Sequence, residues 1–137
     1  MSWTHGKESM DLILDTHALV WVLLGNERVG SAQAAIINDS HNKIFVSAVS
    51  GYEIANKFRI GRMPEAGAIL KLAEENFAAF DWLHLPVNLQ HARRAGSLPG
   101  PHRDPFDRML AAQSIIENIP VMTVDSAIKE LGARVVW

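Results

Sequence analysis

The stretch "DLILDTHALVWVLLG", residues 11–25, joins an apolar run to an acid, and the acid to a second apolar segment that ends in glycine. Residues 11–15 read as a strand covered on both faces, because a strand with one wet face would alternate apolar and polar side chains. Residues 16–25 read as the helix that follows, closed by Gly25 where a helix stop favours a left-handed residue. The passage from strand to helix through an acid is the unit that organises the chain.

Working outward, "VGSAQAAIIND" (29–39) reads as a second helix and "KIFVSA" (43–48) as a second strand. "SGYEIANKFRIG" (50–61) follows as a helix, with Val49, Ile54 and Phe58 on one apolar side, and "EAGAILKLAEENFAAF" (65–80) repeats apolar residues at helical spacing. "DWLHLP" (81–86) is a short third strand and "NLQHARRAGS" (88–97) another helix. In "LPGPHRDPFDRMLAAQ" (98–113) a helix opens with Asp104 as N-cap and Pro105 at the first helical position. "IPVMTVD" (119–125) supplies a fourth strand, "SAIKELG" (126–132) a short helix and "ARVVW" (133–137) a last strand. This alternation predicts an α/β fold, a three-layer α/β/α sandwich with a central parallel sheet of about five strands. Residues 1–9 read as a tail or an upstream start, and residues 10–137 as a single domain.

Composition agrees with that division. A chain of 137 residues carries one domain with a core and not two comfortable ones. At 48% hydrophobic and 20% charged, its balance is that of a globular protein. Thirteen basic against fifteen acidic side chains give a formal charge of -2, so a nucleic-acid partner needs a local basic patch rather than a global field. The absence of cysteine removes disulfides, thiolate nucleophiles and Cys-ligated zinc. No apolar run reaches a membrane span and "MSWTHGKESM" lacks the apolar core of a signal peptide, which points to a cytoplasmic protein without a membrane partner.

The acids fall into a pattern. Asp15 ends the first strand, Glu53 lies early in the helix after the second, Asp107 lies in the first turn of the helix capped by Asp104, and Asp125 ends the fourth strand. In a parallel sheet these junctions share one edge, beyond the carboxyl ends of the strands, where open α/β sheets place their ligand sites. Carboxylates gathered there repel one another unless a divalent cation sits among them, and their oxygens suit Mg2+ or Mn2+. Each acid alone also has an ordinary structural explanation. Asp15, Asp104 and Asp125 suit N-caps, and Asp107 favours the helix dipole. Glu53 follows Ser50 in an S-x-x-E capping box and precedes Lys57 at i+4. Capping explains one acid at a time and gives no reason why every junction on one edge carries a carboxylate.

In order and spacing, "LILDTHALVW" (12–21), "SAVSGYEIANK" (47–57), "HRDPFDRMLAAQ" (102–113) and "VMTVD" (121–125) resemble the acidic motifs of PIN-domain ribonucleases, in particular the toxins of VapBC toxin–antitoxin pairs. The resemblance runs from Met10 to Trp137. It implies a Mg2+- or Mn2+-dependent endoribonuclease that hydrolyses RNA phosphodiesters. Asp15, Glu53, Asp107 and Asp125 stand where the family has its four acids. Asp15 and Asp107 would be the principal ligands, with Asp125 completing the site directly or through water. Glu53 would hold a second metal or orient the attacking water. Asp104, in the DPFDR form of one bacterial branch, reads as a cap first and as a group supporting the ligands second. Thr16 and Thr123 would supply hydroxyls behind the ligands, or serve ordinary helix-start and strand roles. The resemblance also implies a homodimer and a cognate antitoxin that covers the acidic site.

A polyanionic substrate needs positive charge near that edge. Lys57, Arg59 and Arg62 lie just beyond Glu53, while His102, Arg103 and Arg108 flank Asp107; Arg103, Arg108 and Lys57 are the RNA-binding candidates. Trp21, Trp82 and Trp137 read as core residues rather than base-stacking ones. Two other readings stand beside the nuclease: a catalytically inactive PIN-like interaction module, and an aspartate-dependent phosphotransfer domain. Against the latter, the first strand gives "LDTH" without a D-x-D, and no lysine follows the last strand.

Overall fold

A run of apolar residues that is fully covered on both faces forms the middle of the sheet. The computed structural model describes residues 9–76 and 81–137. Residues 1–8 of the expected tail and 77–80 of the expected fourth helix lie outside the described residues. The elements alternate as β1 (Asp11–Leu14), α1 (Thr16–Leu24), α2 (Ser31–Asn38), β2 (Lys43–Ser47), α3 (Ala48–Arg59), α4 (Ala66–Asn76), β3 (Leu83–Leu85), α5 (Leu89–Ser97), α6 (Pro105–Glu117), β4 (Val121–Met122), α7 (Ser126–Glu130) and β5 (Val135–Val136). The strand order is β3-β2-β1-β4-β5, and every neighbouring pair is parallel. The expected three-layer α/β/α sandwich is therefore the observed one.

Alternation along β1 divides the core in two. Leu12 and Leu14 point to one face, where they meet Ala18 and Leu19 of α1, Ile37 of α2, Ile54 of α3 and Ile69 of α4. Ile13 points to the other, against Ala95 of α5, Leu110 and Ala111 of α6, and Ile128 of α7. Gly25 ends α1 at φ 63°, the left-handed region where a side chain is disfavoured, as its position in the sequence predicts.

Three expectations about packing change. Val49 and Ile54 do not share a side: Val49 joins the α5–α7 face and Ile54 the α1–α4 face, because α3 crosses the carboxyl edge of the sheet. Phe58 is exposed and lies over Gly67 instead. Of the tryptophans, Trp82 is buried, whereas Trp137 is 38% exposed and meets Trp21 edge-on at 5.7 Å. β4 is also shorter than residues 119–125, since the Thr123 hydroxyl accepts the Asp125 amide at 2.9 Å and turns the chain into α7. No helix among the described residues is long and apolar enough to cross a membrane.

A buried polar contact ties the two faces together at the site edge. Gln113, fully buried on α6, accepts from the Ser47 hydroxyl at 2.5 Å and donates to the Pro86 carbonyl at 3.2 Å, joining α6 to the ends of β2 and β3. Replacing it with a residue of similar size but no polar atoms strands both partners. Gln113→Leu is expected to cost about 1–3 kcal/mol, read as a lower urea midpoint at unchanged slope; an unaltered midpoint would show that the contact adds nothing.

Candidate functional site

The direction of chain travel reverses between β1 and β4: β2 and β3 build out on one side of β1, β4 and β5 on the other. In open parallel sheets such a reversal leaves a crevice beyond the strand carboxyl ends. Asp15 leaves β1 at that point, and Thr123 leaves β4 beside it.

Asp15 is 4% exposed and caps α1. Its Oδ1 accepts the Ala18 amide at 2.7 Å and its Oδ2 accepts the Thr123 hydroxyl. Burial pushes its carboxyl above the usual range; the bonds from Thr123 and Ala18 and the nearby His17 oppose that push, and Asp125 adds to it. Asp125 caps α7 in turn, its Oδ1 accepting the Ala127 amide at 2.8 Å.

On the other side of Asp15, Thr16 donates to Glu53 Oε1 at 2.6 Å. Its single proton is spent there, so the 3.0 Å contact with Ser50 has the Ser50 hydroxyl as donor. Lys57 donates to Glu53 Oε2, completing the i,i+4 pair that the spacing predicts. The expected Ser50–Glu53 capping box does not form. α3 begins three residues earlier, with Ser47 as N-cap accepting the Val49 amide, which leaves Ser50 buried inside the helix as part of the Glu53 support. Reading Ser50 as a cap concealed that role.

Asp107 draws the set together. It sits half-buried in the first turn of α6, and its carboxyl is pushed up to about 7, by burial first and then by the charges of Asp104, Asp125, Glu53 and Asp15. Asp104 caps α6 as expected, with Oδ1 accepting the Phe106 and Asp107 amides at 2.8 and 3.3 Å. Pro105 occupies the start of the helix.

The basic residues divide. Arg108, expected among the phosphate-binding candidates, is turned inward. Its guanidinium donates to the carbonyls of Ala95 and His102, each at 2.8 Å, and of Leu98, clasping the 98–102 loop between α5 and α6. A planar fork of donors suits that role, which occupies the group elsewhere. His102 pairs with Glu130 at 2.6 Å. Arg103 stands exposed, and Lys57 is held by Glu53.

As the side chains stand, no group of three or more His, Cys, Asp or Glu among the described residues is close enough to hold an ion. The acids act on one another through charge rather than meeting at ligand distance. Their chemistry, hard carboxylate oxygens in excess of nearby positive charge, fits a hard divalent cation.

The sequence pattern of the PIN domain family matches residues 12–134. No curated protein matches the sequence. Among solved structures, the fold is similar to VapBC2 from Rickettsia felis bound to a DNA fragment from its promoter, with TM-score 0.67 and 14% identity over 93% of this chain and 98% of that one. FitAcB from Neisseria gonorrhoeae gives TM-score 0.67 and 17% identity over 92% and 96%. VapBC-1 from nontypeable Haemophilus influenzae gives 0.62 and 14% over 93% and 97%. At these identities the likeness is one of fold.

The repulsion at Asp107 has a measurable consequence. A carboxyl whose pKa rises from 3.8 to about 7 on folding contributes most to stability below the lower value and loses that contribution as pH rises through the upper one. Without divalent cations, Asp107→Asn is therefore expected to melt above the wild type at pH 8. The gap should be roughly a few degrees, reduced by solvent screening of a half-exposed group, and should close toward pH 4. Equal melting temperatures at pH 8 would remove the mutual repulsion from the account.

Proposed function

The chain belongs to the PIN-domain family, and from that premise we propose that it is a Mg2+- or Mn2+-dependent endoribonuclease acting as the toxin of a toxin–antitoxin pair. The observation that carries the reading is the electrostatic convergence of Asp15, Glu53, Asp104 and Asp125 on Asp107 at the carboxyl edge of the sheet. Acids in excess of their counter-charges are costly to gather, and a site for a divalent cation accounts for the cost.

Asp15, Asp107 and Asp125 would hold the cation, and Glu53 a second one or the attacking water. A divalent cation held there would supply Lewis-acid chemistry, activating water for attack and neutralising charge on the phosphate. The chain's own residues prepare for this. Thr123 fixes the Asp15 carboxylate, and Thr16 with Ser50 fixes that of Glu53. Asp104 sets where α6 begins and so where Asp107 stands. Exposed Arg103 is the group that meets RNA phosphates, and Lys57, expected beside it, is engaged by Glu53. The likeness in fold to VapBC2 and VapBC-1 supports a cognate antitoxin, and the resemblance of the motifs to VapBC toxins implies a homodimer in the cytoplasm.

One rival stands beside this reading, the catalytically inactive interaction module, since no three of the acids among the described residues are grouped as ligands. Total bacterial RNA incubated with the antitoxin-free protein and Mg2+ or Mn2+ separates the two. The nuclease gives discrete cleavage that EDTA and Asp15→Asn abolish, while Thr123→Val lowers it about 10–100-fold through the loosened Asp15. Intact RNA in every lane, together with no metal uptake by calorimetry, establishes the interaction module instead.

A further inference from the structure

The tryptophans expected in the core point to a second part of the site. His17, Trp21 and Leu24 follow one another at i, i+4 and i+7 along α1, opposite the buried Leu19. His17 and Leu24 are exposed. Trp21 anchors a group of rings. The His17 ring lies 6.1 Å from it at 43°, the Trp137 ring 5.7 Å from it at 78°, and the Arg28 guanidinium 5.3 Å over its face.

Trp137 follows β5 directly, and the parallel sheet brings the carboxyl end of β5 to the same edge as those of β1 and β4. His17 lies two residues past Asp15 and acts on its charge. The ring group is thus continuous with the acidic crevice along α1. An indole 38% exposed at a sheet edge leaves much of a large apolar ring in water, which burial would stabilise. Each neighbour of Trp21 restrains it, so the rings are held in place before a ligand arrives.

We propose that Trp137 and His17, propped on Trp21, form a stacking platform for bases of single-stranded RNA flanking the scissile phosphate, with Arg28 meeting the adjoining backbone phosphate. The chemistry selects a nucleic-acid base over a protein side chain, because a flat ring beside an exposed guanidinium matches a base next to its phosphate. Base–aromatic stacking tolerates any base and requires that it be unpaired. The inference rests on the nuclease reading for its substrate, but not on catalysis for its test.

The experiment measures binding of a fluorescein-labelled single-stranded oligoribonucleotide to the full chain carrying Asp15→Asn, in Mg2+, beside an abasic oligomer of equal length. On that background Trp137→Ala is expected to weaken the oligoribonucleotide about tenfold, as the loss of one stacked base implies. It should leave the abasic oligomer unaffected, and Trp137→Phe should restore most of the affinity. Arg28→Ala should weaken both oligomers. Equal binding by Trp137→Ala and its parent overturns the platform, as does equal loss on both oligomers or no binding by the parent. Unchanged RNA binding with lost self-association or antitoxin capture assigns the rings to a protein interface. In otherwise wild-type protein, Trp137→Ala should raise KM with kcat kept. Absence of cleavage by the wild type beside intact stacking would overturn the nuclease and leave the platform standing.

Discussion

The Asp15 carboxylate imposes the constraint on which the site edge depends. A carboxylate with 4% exposure is tolerated only when its oxygens are hydrogen-bonded, and the two partners come from different parts of the chain. The Ala18 amide belongs to the helix that Asp15 begins, and the Thr123 hydroxyl lies at the end of the neighbouring strand. The next residue, Thr16, reaches the other way, to Ser50 and Glu53 on α3. Two consecutive side chains thus lock the exits of β1, β2 and β4 into one arrangement. Because Thr123 also accepts the Asp125 amide, the start of α7 follows from the same satisfied charge.

Capping and site roles are compatible under this constraint. Asp15, Asp104 and Asp125 each cap a helix through Oδ1. A cap fixes a carboxylate's rotamer, and a fixed rotamer is what a preorganised ligand needs. Capping also places the acid at the positive end of a helix dipole, which offsets part of the cost of crowding charge. The local explanation and the site explanation therefore describe one device, in which helix starts are the means of presenting carboxylates at a sheet edge.

The strand–acid–helix unit at residues 11–25 made the fold legible, since a continuous apolar run and a terminal glycine report burial and stop signals locally. The acids were legible as a set for the same reason: sheet edges follow from topology alone. What could not be read was orientation. Arg108 lies within the motif but turns toward three main-chain carbonyls, because the 98–102 loop with its two prolines leaves acceptors that only a long forked donor reaches. Ser50 carries a capping pattern in sequence, yet Ser47 starts the helix, and a three-residue shift converts a cap into a buried hydroxyl against Thr16. Trp137 reads as core by composition and ends partly exposed because it follows β5, a two-residue strand at the edge of the five-stranded sheet.

Charge then decides how a substrate is held on the proposed reading. The chain is acidic overall, at -2, and carboxylates act on one another at the proposed site, so net charge does not draw RNA to the crevice. The cations that sequence put there are largely committed: Lys57 to Glu53, Arg108 to the main chain, His102 to Glu130. Arg103 and Arg28 remain exposed at the flanks. Part of the affinity must then come from contacts that do not depend on phosphate charge, and stacking on the held aromatic rings beside α1 is one that the surface offers. On that reading recognition is separate from reaction: unpaired bases would be sensed along α1, and the acids would act on a backbone already positioned beside them.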